Sequence, residues 1–176
     1  MQLLRFDRAA PSKVQRNGFR CGEASLDRWL ATQARQSMES RAAVTYLLLD
    51  PEEVAEDDRP SIVGYYCLSP GEVRRADAPA SLADRALDPV PAVGMGRFAI
   101  DERYQGRGWA AELWREALLA AVAAGKVIGA RVMLVDAISA DARAFYERYG
   151  FVRSPIHPMQ VLYDLRVVEV SAGLDR

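Results

Sequence analysis

Apolar residues recur along this chain in two patterns, short continuous runs and i, i+3, i+4 spacings, which predict strands and helices respectively. The runs at 43–49 and 61–68 flank the acidic segment 50–60, which would be costly to bury, so they predict an antiparallel hairpin with a long tip. Further runs predict strands at 3–6, 93–101, 131–136, 151–153 and 160–168.

Helical spacing predicts three helices. The first follows Cys21-Gly22, and the second begins at Ala110 and ends near Gly125 or Gly129. The third begins at the N-cap Ser139 and stops at Gly150, with Asp141 in its first turn. Their apolar stripes are Leu26, Trp29, Leu30 and Ala34 in the first helix and Ala110, Leu113, Trp114, Ala117, Leu118 and Ala121 in the second.

Two segments are predicted to connect these elements. Residues 11–18, with Pro11, Asn17 and Gly18, predict a turn, and residues 70–91 predict a functional connection with a short helix at 82–86. The element order β-α-β-β-loop-β-α-β-α-β-β then predicts one α/β domain over residues 1–176, with helices on both faces of a mixed sheet.

Composition agrees with a globular domain, since half of the 176 residues are hydrophobic. The net charge of −1 conceals strong patterning, because residues 1–41 hold eight basic and four acidic residues whereas six of the nine residues 50–58 are acidic. Apart from Lys13 and Lys126, every basic residue is arginine. The excess of arginine has two interpretations. Arginine binds phosphates well, which would suit an RNA-binding surface, and a GC-rich coding sequence also favours arginine over lysine.

Several classes of protein are disfavoured. Two distant cysteines, Cys21 and Cys67, do not form a disulfide framework. The sequence has one histidine, His157, and no Cys-x-x-Cys pair, so it lacks the spacing of ligands that a metal site needs. No segment has the apolar length of a signal peptide or a membrane span. We therefore expect a cytoplasmic protein without a bound metal.

The segment from Gln105 to Ala110 joins the strand at 93–101 to the following helix. Gly106 and Gly108 let the backbone approach a ligand while the N–H groups of the first helical turn point outward, which favours a phosphate. A Walker loop would need Gly-Lys-Ser or Gly-Lys-Thr, which is missing here. Gly106, Gly108 and Ala111 formally satisfy a dinucleotide fingerprint, but they lie past mid-chain instead of after the first strand of a βαβ repeat.

A third interpretation rests on family resemblance. Gln105-x-x-Gly108-x-Ala110 resembles the pyrophosphate loop of the GNAT N-acetyltransferase superfamily, and residues 142–151 resemble its Ala-x-x-Phe-Tyr-Glu-x-x-Gly-Phe ending. Other segments resemble the acetyltransferase toxins of bacterial toxin–antitoxin operons: Cys21-Gly22, Leu26 to Leu30, Gly64 to Tyr66, Gly96 to Asp101, Pro155 and Pro158-Met159. The resemblance covers residues 19–165. It implies the GNAT fold, with a mostly antiparallel mixed sheet, and acetyl-CoA as the acetyl donor.

Tyr146 is the catalytic residue that this resemblance implies. Spacing alone favours a tyrosine at the rim of the core, because Ala142, Phe145 and Tyr149 form the predicted core stripe of its helix. As general acid, Tyr146 would protonate the leaving thiolate. With parent pKa values of about 10 for tyrosine and about 8.5 for the thiol, that transfer is uphill by about 2 kcal/mol.

The resemblance also implies a set of cofactor contacts. A strand bulge would offer the backbone of Phe98, Ala99 and Ile100 to the acetyl group and pantetheine. Ser139 stands where many relatives have an asparagine that touches the cofactor, although an N-cap role competes, and Trp109 replaces the usual small or aliphatic residue. The predicted diphosphate contacts are Gln105, Gly106, Arg107, Gly108, Trp109 and Ala110.

The sequence does not indicate a general base. His157 is predicted to lie in a loop, and Glu147 and Asp101 are predicted to face solvent or to have structural roles. About a tenth of an α-amine is unprotonated at neutral pH, whereas a lysine amine is almost wholly protonated. An enzyme without a base is therefore better suited to an α-amine substrate. The toxin branch accordingly implies acetylation of aminoacyl-tRNA and translation inhibition, with a ribbon-helix-helix antitoxin and a homodimer. The alternatives are a small-molecule or protein amine as substrate, and a non-catalytic part of a repressor complex. Candidate tRNA contacts are the basic first third and Arg74, Arg75, Arg85 and Arg97.

Overall fold

The computed structural model of the chain describes residues 1–172, which form seven strands and eight helices. The strands are β1 (Gln2–Arg5), β2 (Val44–Val54), β3 (Pro60–Val73), β4 (Val90–Ile100), β5 (Val132–Asp136), β6 (Val152–Arg153) and β7 (Gln160–Asp164). The helices are α1 (Phe6–Ala9), α2 (Lys13–Gly18), α3 (Ala24–Thr32), α4 (Ala34–Glu39), α5 (Ala80–Ala83), α6 (Trp109–Ile128), α7 (Ala140–Arg148) and α8 (Leu165–Ala172). Within residues 1–172, no helix has both the length and the apolar character needed to cross a membrane.

The strands are hydrogen-bonded in the order β1-β2-β3-β4-β5-β7-β6. The pairs β1–β2, β2–β3, β5–β7 and β6–β7 are antiparallel, whereas β4 and β5 are parallel. Parallel neighbours need a long crossover, which α6 supplies between β4 and β5. The predicted α/β fold with a mixed, mostly antiparallel sheet is therefore confirmed.

The chain divides into two compact units. The first, unit 1, comprises Met1–Leu68 and Arg97–Ala117, and its core contains the predicted stripe Leu26, Trp29, Leu30 and Ala34. These side chains pack with Phe19 and Tyr65, which are almost fully buried. Trp29 stacks on Tyr65 at 5.7 Å between ring centroids, and the Tyr65 hydroxyl donates to the Leu26 carbonyl at 2.8 Å. Helix α3 is thereby fixed to strand β3.

The second, unit 2, comprises Ser69–Gly96 and, among the described residues, 118–172. Its core contains Val90 and Ala92 of β4, Val132 of β5 and Leu162 of β7, together with Leu82 of α5. The end of α6 lies close to Ala130, since a Cβ on Gly125 would be only 2.4 Å from the Ala130 carbonyl oxygen. The unit therefore requires glycine at that position.

Several predicted boundaries are wrong, for local reasons. Residues 13–18 form helix α2 instead of a turn, because Ser12 and Gln15 make a reciprocal capping box. The chain after β7 turns into α8 instead of continuing as a strand to residue 168, since Asp164 accepts the Arg166 N–H at 3.0 Å. Strands β2 and β3 extend into the predicted tip and connection, and the short helix lies at Ala80–Ala83, directly after Pro79.

Candidate active site

The predicted strand, loop and helix around residues 98–110 are present in unit 1. Phe98, Ala99 and Ile100 are the last residues of β4, and the N–H of Asp101 donates to the Val63 carbonyl of β3 at 2.8 Å. A 3₁₀ turn (Glu102–Tyr104) follows, and α6 begins at Trp109. The four residues between them, 105–108, are exposed.

Gly106 and Gly108 give this loop its conformation. Their φ angles are +72° and +86°, values that a residue with a Cβ adopts only with strain. No atom lies within 4 Å of the position that a Cβ would occupy on either glycine, so the space above the backbone is open. Because α6 runs for 20 residues, its N-terminal N–H groups carry the positive end of a long helix dipole. The loop therefore has the geometry of an anion-binding site.

A buried carboxylate, Asp101, fixes the entry to this loop. Its side chain is 1% exposed and accepts the backbone N–H groups of Arg20 and Arg103, each at 3.1 Å. The Arg103 guanidinium donates to the same carboxylate through Nε at 2.8 Å and Nη2 at 3.3 Å. Asp101 thus joins the 3₁₀ turn to the chain at residue 20. The prediction that Asp101 is structural rather than catalytic agrees with this geometry, but the sequence did not reveal its partners.

The side chain of Gln105 also supports the loop. Its Nε2 donates to the carbonyls of Cys21 at 3.0 Å and Ile100 at 2.9 Å, so the amide bridges the end of β4 and the segment before α3. The Gln105 amide therefore stabilises the backbone on either side of the loop.

Aromatic residues border the loop on both sides. The Arg107 guanidinium lies 5.7 Å from the ring of Tyr104, which is almost fully buried and donates its hydroxyl to Glu53 at 2.9 Å. Trp109 lines a groove of about 430 Å³ at the start of α6, together with apolar residues of β1 and β2 and the N-terminal Met1. Trp109 and Ala110, in the first turn of α6, are half-buried.

Tyr146 lies in unit 2 and is the buried residue of α7, with 6% of its surface exposed. Its ring packs against Phe145 at 5.3 Å and Phe151 at 5.4 Å between centroids. Burial raises the pKa of the Tyr146 phenol, so the hydroxyl stays protonated. The predicted core stripe of this helix is wrong, because Ala142, Phe145 and Tyr149 are only half-buried.

The other polar residues of unit 2 near this helix have structural partners. Ser139 caps α7 by accepting the Ala142 N–H at 3.1 Å, which confirms the N-cap prediction. A hydrogen bond from Arg153 lowers the pKa of Glu147, which makes this carboxylate a poor base. His157 is about half exposed, with Nε2 3.6 Å from the carboxylate of Asp77.

The candidate arginines are divided between the two units. Arg75 and Arg85 line the same groove of about 530 Å³ in unit 2, and the exposed Arg74 lies 3.6 Å from Asp77. Arg97, in contrast, belongs to unit 1 and is half-buried. The basic first third also contains a residue that is not available on the surface, since Arg16 is buried and donates to the carbonyls of Ser12 and Ala31.

Comparison with known proteins gives consistent results. Residues 48–153 match the model of the protein family described as "Acetyltransferase (GNAT) domain". The chain is 37% identical over 158 residues to a tRNA-acetylating toxin of Mycobacterium tuberculosis, covering 88% of this chain and 89% of the relative.

Two solved structures of AtaT have the same fold. One is AtaT complexed with acetyl-methionyl-tRNAfMet, with a TM-score of 0.84, 24% identity and coverage of 97% of this chain and 98% of that chain. The other is a tyrosine-to-phenylalanine mutant of AtaT bound to the C-terminus of the antitoxin AtaR and acetyl-CoA, with a TM-score of 0.77, 24% identity and 97% coverage of both chains.

Proposed function

Because the chain belongs to the GNAT acetyltransferase family, we propose that it transfers the acetyl group of acetyl-CoA to the α-amino group of aminoacyl-tRNA and so blocks translation as a toxin. The single observation that carries the substrate class is the 37% identity to a tRNA-acetylating toxin over most of both chains. The proposal treats residues 1–176 as one acetyltransferase domain.

In this proposal the exposed loop at residues 105–108 and the first turn of α6 hold the diphosphate of acetyl-CoA. The open space above Gly106 and Gly108 and the positive end of α6 support this assignment. The residues next to it on β4, Phe98 to Ile100, would then contact the pantetheine and the acetyl carbonyl.

Tyr146 acts as the general acid that protonates the leaving thiolate. Burial raises the pKa of its phenol, which makes it a weaker acid than free tyrosine. A thiolate that forms in an apolar environment is also destabilised, which raises its affinity for the proton. A hydroxyl that stays protonated at every physiological pH is suited to a single role, donation of its proton.

The proposed acceptor, an α-amine, needs no strong base. Glu147 is a poor base because its pKa is lowered, and Asp101 is enclosed by four hydrogen-bond donors. An α-amine has a parent pKa of about 7.7 to 8.0, so a usable fraction is neutral before it binds.

The proposed macromolecular partners follow from the relatives. Arg75 and Arg85, which line one groove, are candidate tRNA contacts together with Arg74. The AtaT complex with the C-terminus of AtaR supports an antitoxin partner, for which we propose the ribbon-helix-helix class. We also propose that the protein is a homodimer.

The test is transfer of radiolabelled acetyl groups from acetyl-CoA to charged tRNA. Wild-type protein is expected to label the aminoacyl group, Tyr146→Phe is expected to be strongly impaired, and Tyr149→Phe on the same helix serves as the matched control. Label transfer to polyamines or peptides instead of tRNA would point to a small-molecule or protein amine. Failure of wild-type protein to bind acetyl-CoA in calorimetry would favour a non-catalytic role in a repressor complex.

A further inference from the structure

A buried carboxylate of unit 2, that of Asp77, lies close to two residues from distant parts of the chain. Arg74 Nε and His157 Nε2 are each 3.6 Å from the same oxygen, Oδ2 of Asp77. Arg74 directly follows β3, whereas His157 lies in the loop between β6 and β7. The fold therefore brings an arginine and the one histidine of the chain to a single carboxylate oxygen.

Hydrogen bonds hold these two segments in place. The Asp77 N–H donates to the Arg74 carbonyl at 2.8 Å, and the hydroxyl of the buried Ser154 donates to the Asp77 carbonyl at 2.8 Å. The same hydroxyl accepts the N–H groups of Ile156 at 3.3 Å and His157 at 3.2 Å. The backbone at residues 74 and 157 is thus positioned before a ligand arrives, which lowers the entropic cost of binding.

The exposure of these side chains shows which of them a ligand can contact. The side chains of Arg74 and His157 are 77% and 55% exposed, whereas that of Asp77 is only 11% exposed. A separation of 3.6 Å is too long for a hydrogen bond, so neither contact with Asp77 uses an N–H donor. An anion in solution can therefore contact Arg74 and His157, while the carboxylate is more deeply buried.

The spacing of the two groups is suited to a single phosphate. Because both nitrogens lie 3.6 Å from one oxygen, the distance between them cannot exceed twice that value. Phosphate oxygens accept charged donors at about 2.8 Å and point in different directions, so one phosphate can bridge a gap of this size. Arginine offers several N–H groups in a planar fork, and histidine donates from at least one ring nitrogen in either protonation state.

The neighbouring basic residues favour a phosphate that belongs to RNA. Arg74 is followed by Arg75, which together with Arg85 lines the groove of unit 2 described above. A small phosphorylated molecule would occupy one such position, whereas an RNA strand presents many phosphates and binds several basic residues at once.

We propose that Arg74 and His157, brought together by Asp77, bind one backbone phosphate at the acceptor end of tRNA. This inference rests on the proposed function, from which tRNA is taken as the ligand. A phosphate contact of this kind fixes the position of the strand on the protein without reading its sequence. His157 is then a substrate-binding residue.

The test is a fluorescence anisotropy titration with RNAs in which one phosphate at a time is uncharged. The probe is an unacylated RNA hairpin with the acceptor stem and single-stranded 3′ end of tRNA, and a methylphosphonate replaces each phosphate in turn. In wild-type protein, replacement at one position is expected to weaken binding about 10- to 100-fold, the range for hydrogen bonds to a charged group.

The variants then show whether Arg74 and His157 cause this loss. In Arg74→Ala and in His157→Ala the loss at that position should be smaller, because groups that contact each other do not contribute additively. In the double variant, where neither donor remains, it should be about threefold or less. His157→Gln, which keeps a side-chain N–H donor, should lose less of this sensitivity than His157→Ala.

Arg148→Ala is the matched control, because Arg148 is an exposed arginine of unit 2 at the end of α7. This variant should show the full wild-type loss at the same position. The inference would be overturned if wild-type protein did not bind the hairpin, if all singly replaced RNAs bound equally, or if the loss persisted in the double variant. Since the probe is unacylated and acetyl-CoA is absent, the expected losses in a protein that fails to acetylate charged tRNA would refute only the proposed function.

Discussion

Replacement of Asp101 by asparagine tests whether this carboxylate organises the loop. The side chain keeps its size but loses its charge, and one of its two acceptor oxygens becomes an NH2 group. Oδ1 of Asp101 accepts from the backbone N–H and Nε of Arg103, and Oδ2 accepts from the Arg20 N–H and Nη2 of Arg103. The asparagine oxygen can replace one of these acceptors, so its NH2 group will face two donors on the other side.

The expected loss of stability can be estimated from these contacts. A buried donor left without a partner costs about 1 to 3 kcal/mol. Loss of the ion pair adds less than a fully buried pair would, because Arg103 is 48% exposed and water screens its charge. We therefore expect Asp101→Asn to lower the free energy of unfolding by about 3 kcal/mol, which for a domain of this size lowers Tm by about 6 to 12 °C.

The assays are urea unfolding, scanning calorimetry and titration with acetyl-CoA. The mutation should also weaken acetyl-CoA binding, since it releases the turn that precedes Gly106 and Gly108. Glu102→Gln is the matched control, because Glu102 is an exposed acid in the same 3₁₀ turn, and its effect should stay within about 0.5 kcal/mol. A loss below about 1 kcal/mol in Asp101→Asn, with acetyl-CoA affinity unchanged, would refute the reasoning.

Three further predictions concern catalysis and the loop. Tyr146→Phe should lower the single-turnover rate of acetyl transfer about 10²- to 10⁴-fold without changing acetyl-CoA affinity, and a rate equal to that of Tyr149→Phe would argue against the general acid. The value of kcat/KM should rise with pH as the acceptor amine loses its proton. Because burial raises the pKa of Tyr146, kcat/KM should not fall at any pH up to about 10, and a fall at pH 8 to 9 would contradict this. Gly106→Ala and Gly108→Ala force a Cβ onto positive φ angles, so each should cost about 1 kcal/mol of stability and reduce acetyl-CoA affinity in calorimetry. Gly18→Ala, in open space without a positive φ, should show neither effect.

The outline of the fold was predictable from local patterns. The spacing of Leu26, Trp29, Leu30 and Ala34 identified a helix with one buried face, and all four residues are in the core of unit 1. The run at 93–101, the two glycines and the following helix were also recognised, because the periodicity of apolar residues and the need for positive φ are properties of short segments. The capping box of Ser12 and Gln15 is also a local signal, and it outweighs the turn residues Pro11, Asn17 and Gly18 around it.

The roles of individual side chains were less predictable. The spacing of apolar residues predicts Tyr146 at the rim of the core, yet it is the most buried residue of α7, since the face that a helix buries depends on which strands it packs against. Arg97 could not be distinguished from the other arginines, because its partner Trp29 lies 68 residues earlier in the chain.

The sequence by itself determined most element types, the family and the loop that is suited to a phosphate, since these depend on residues that are close along the chain. Only the tertiary structure decided that Asp101 fixes the loop to residue 20, that Gln105 binds the Cys21 carbonyl, and that Arg97 lies against Trp29. Those contacts join residues that are distant in sequence, and the same side chains would be solvated in an extended chain. Their burial and their hydrogen-bond partners come into being only when β4, the 3₁₀ turn and α3 pack in one unit.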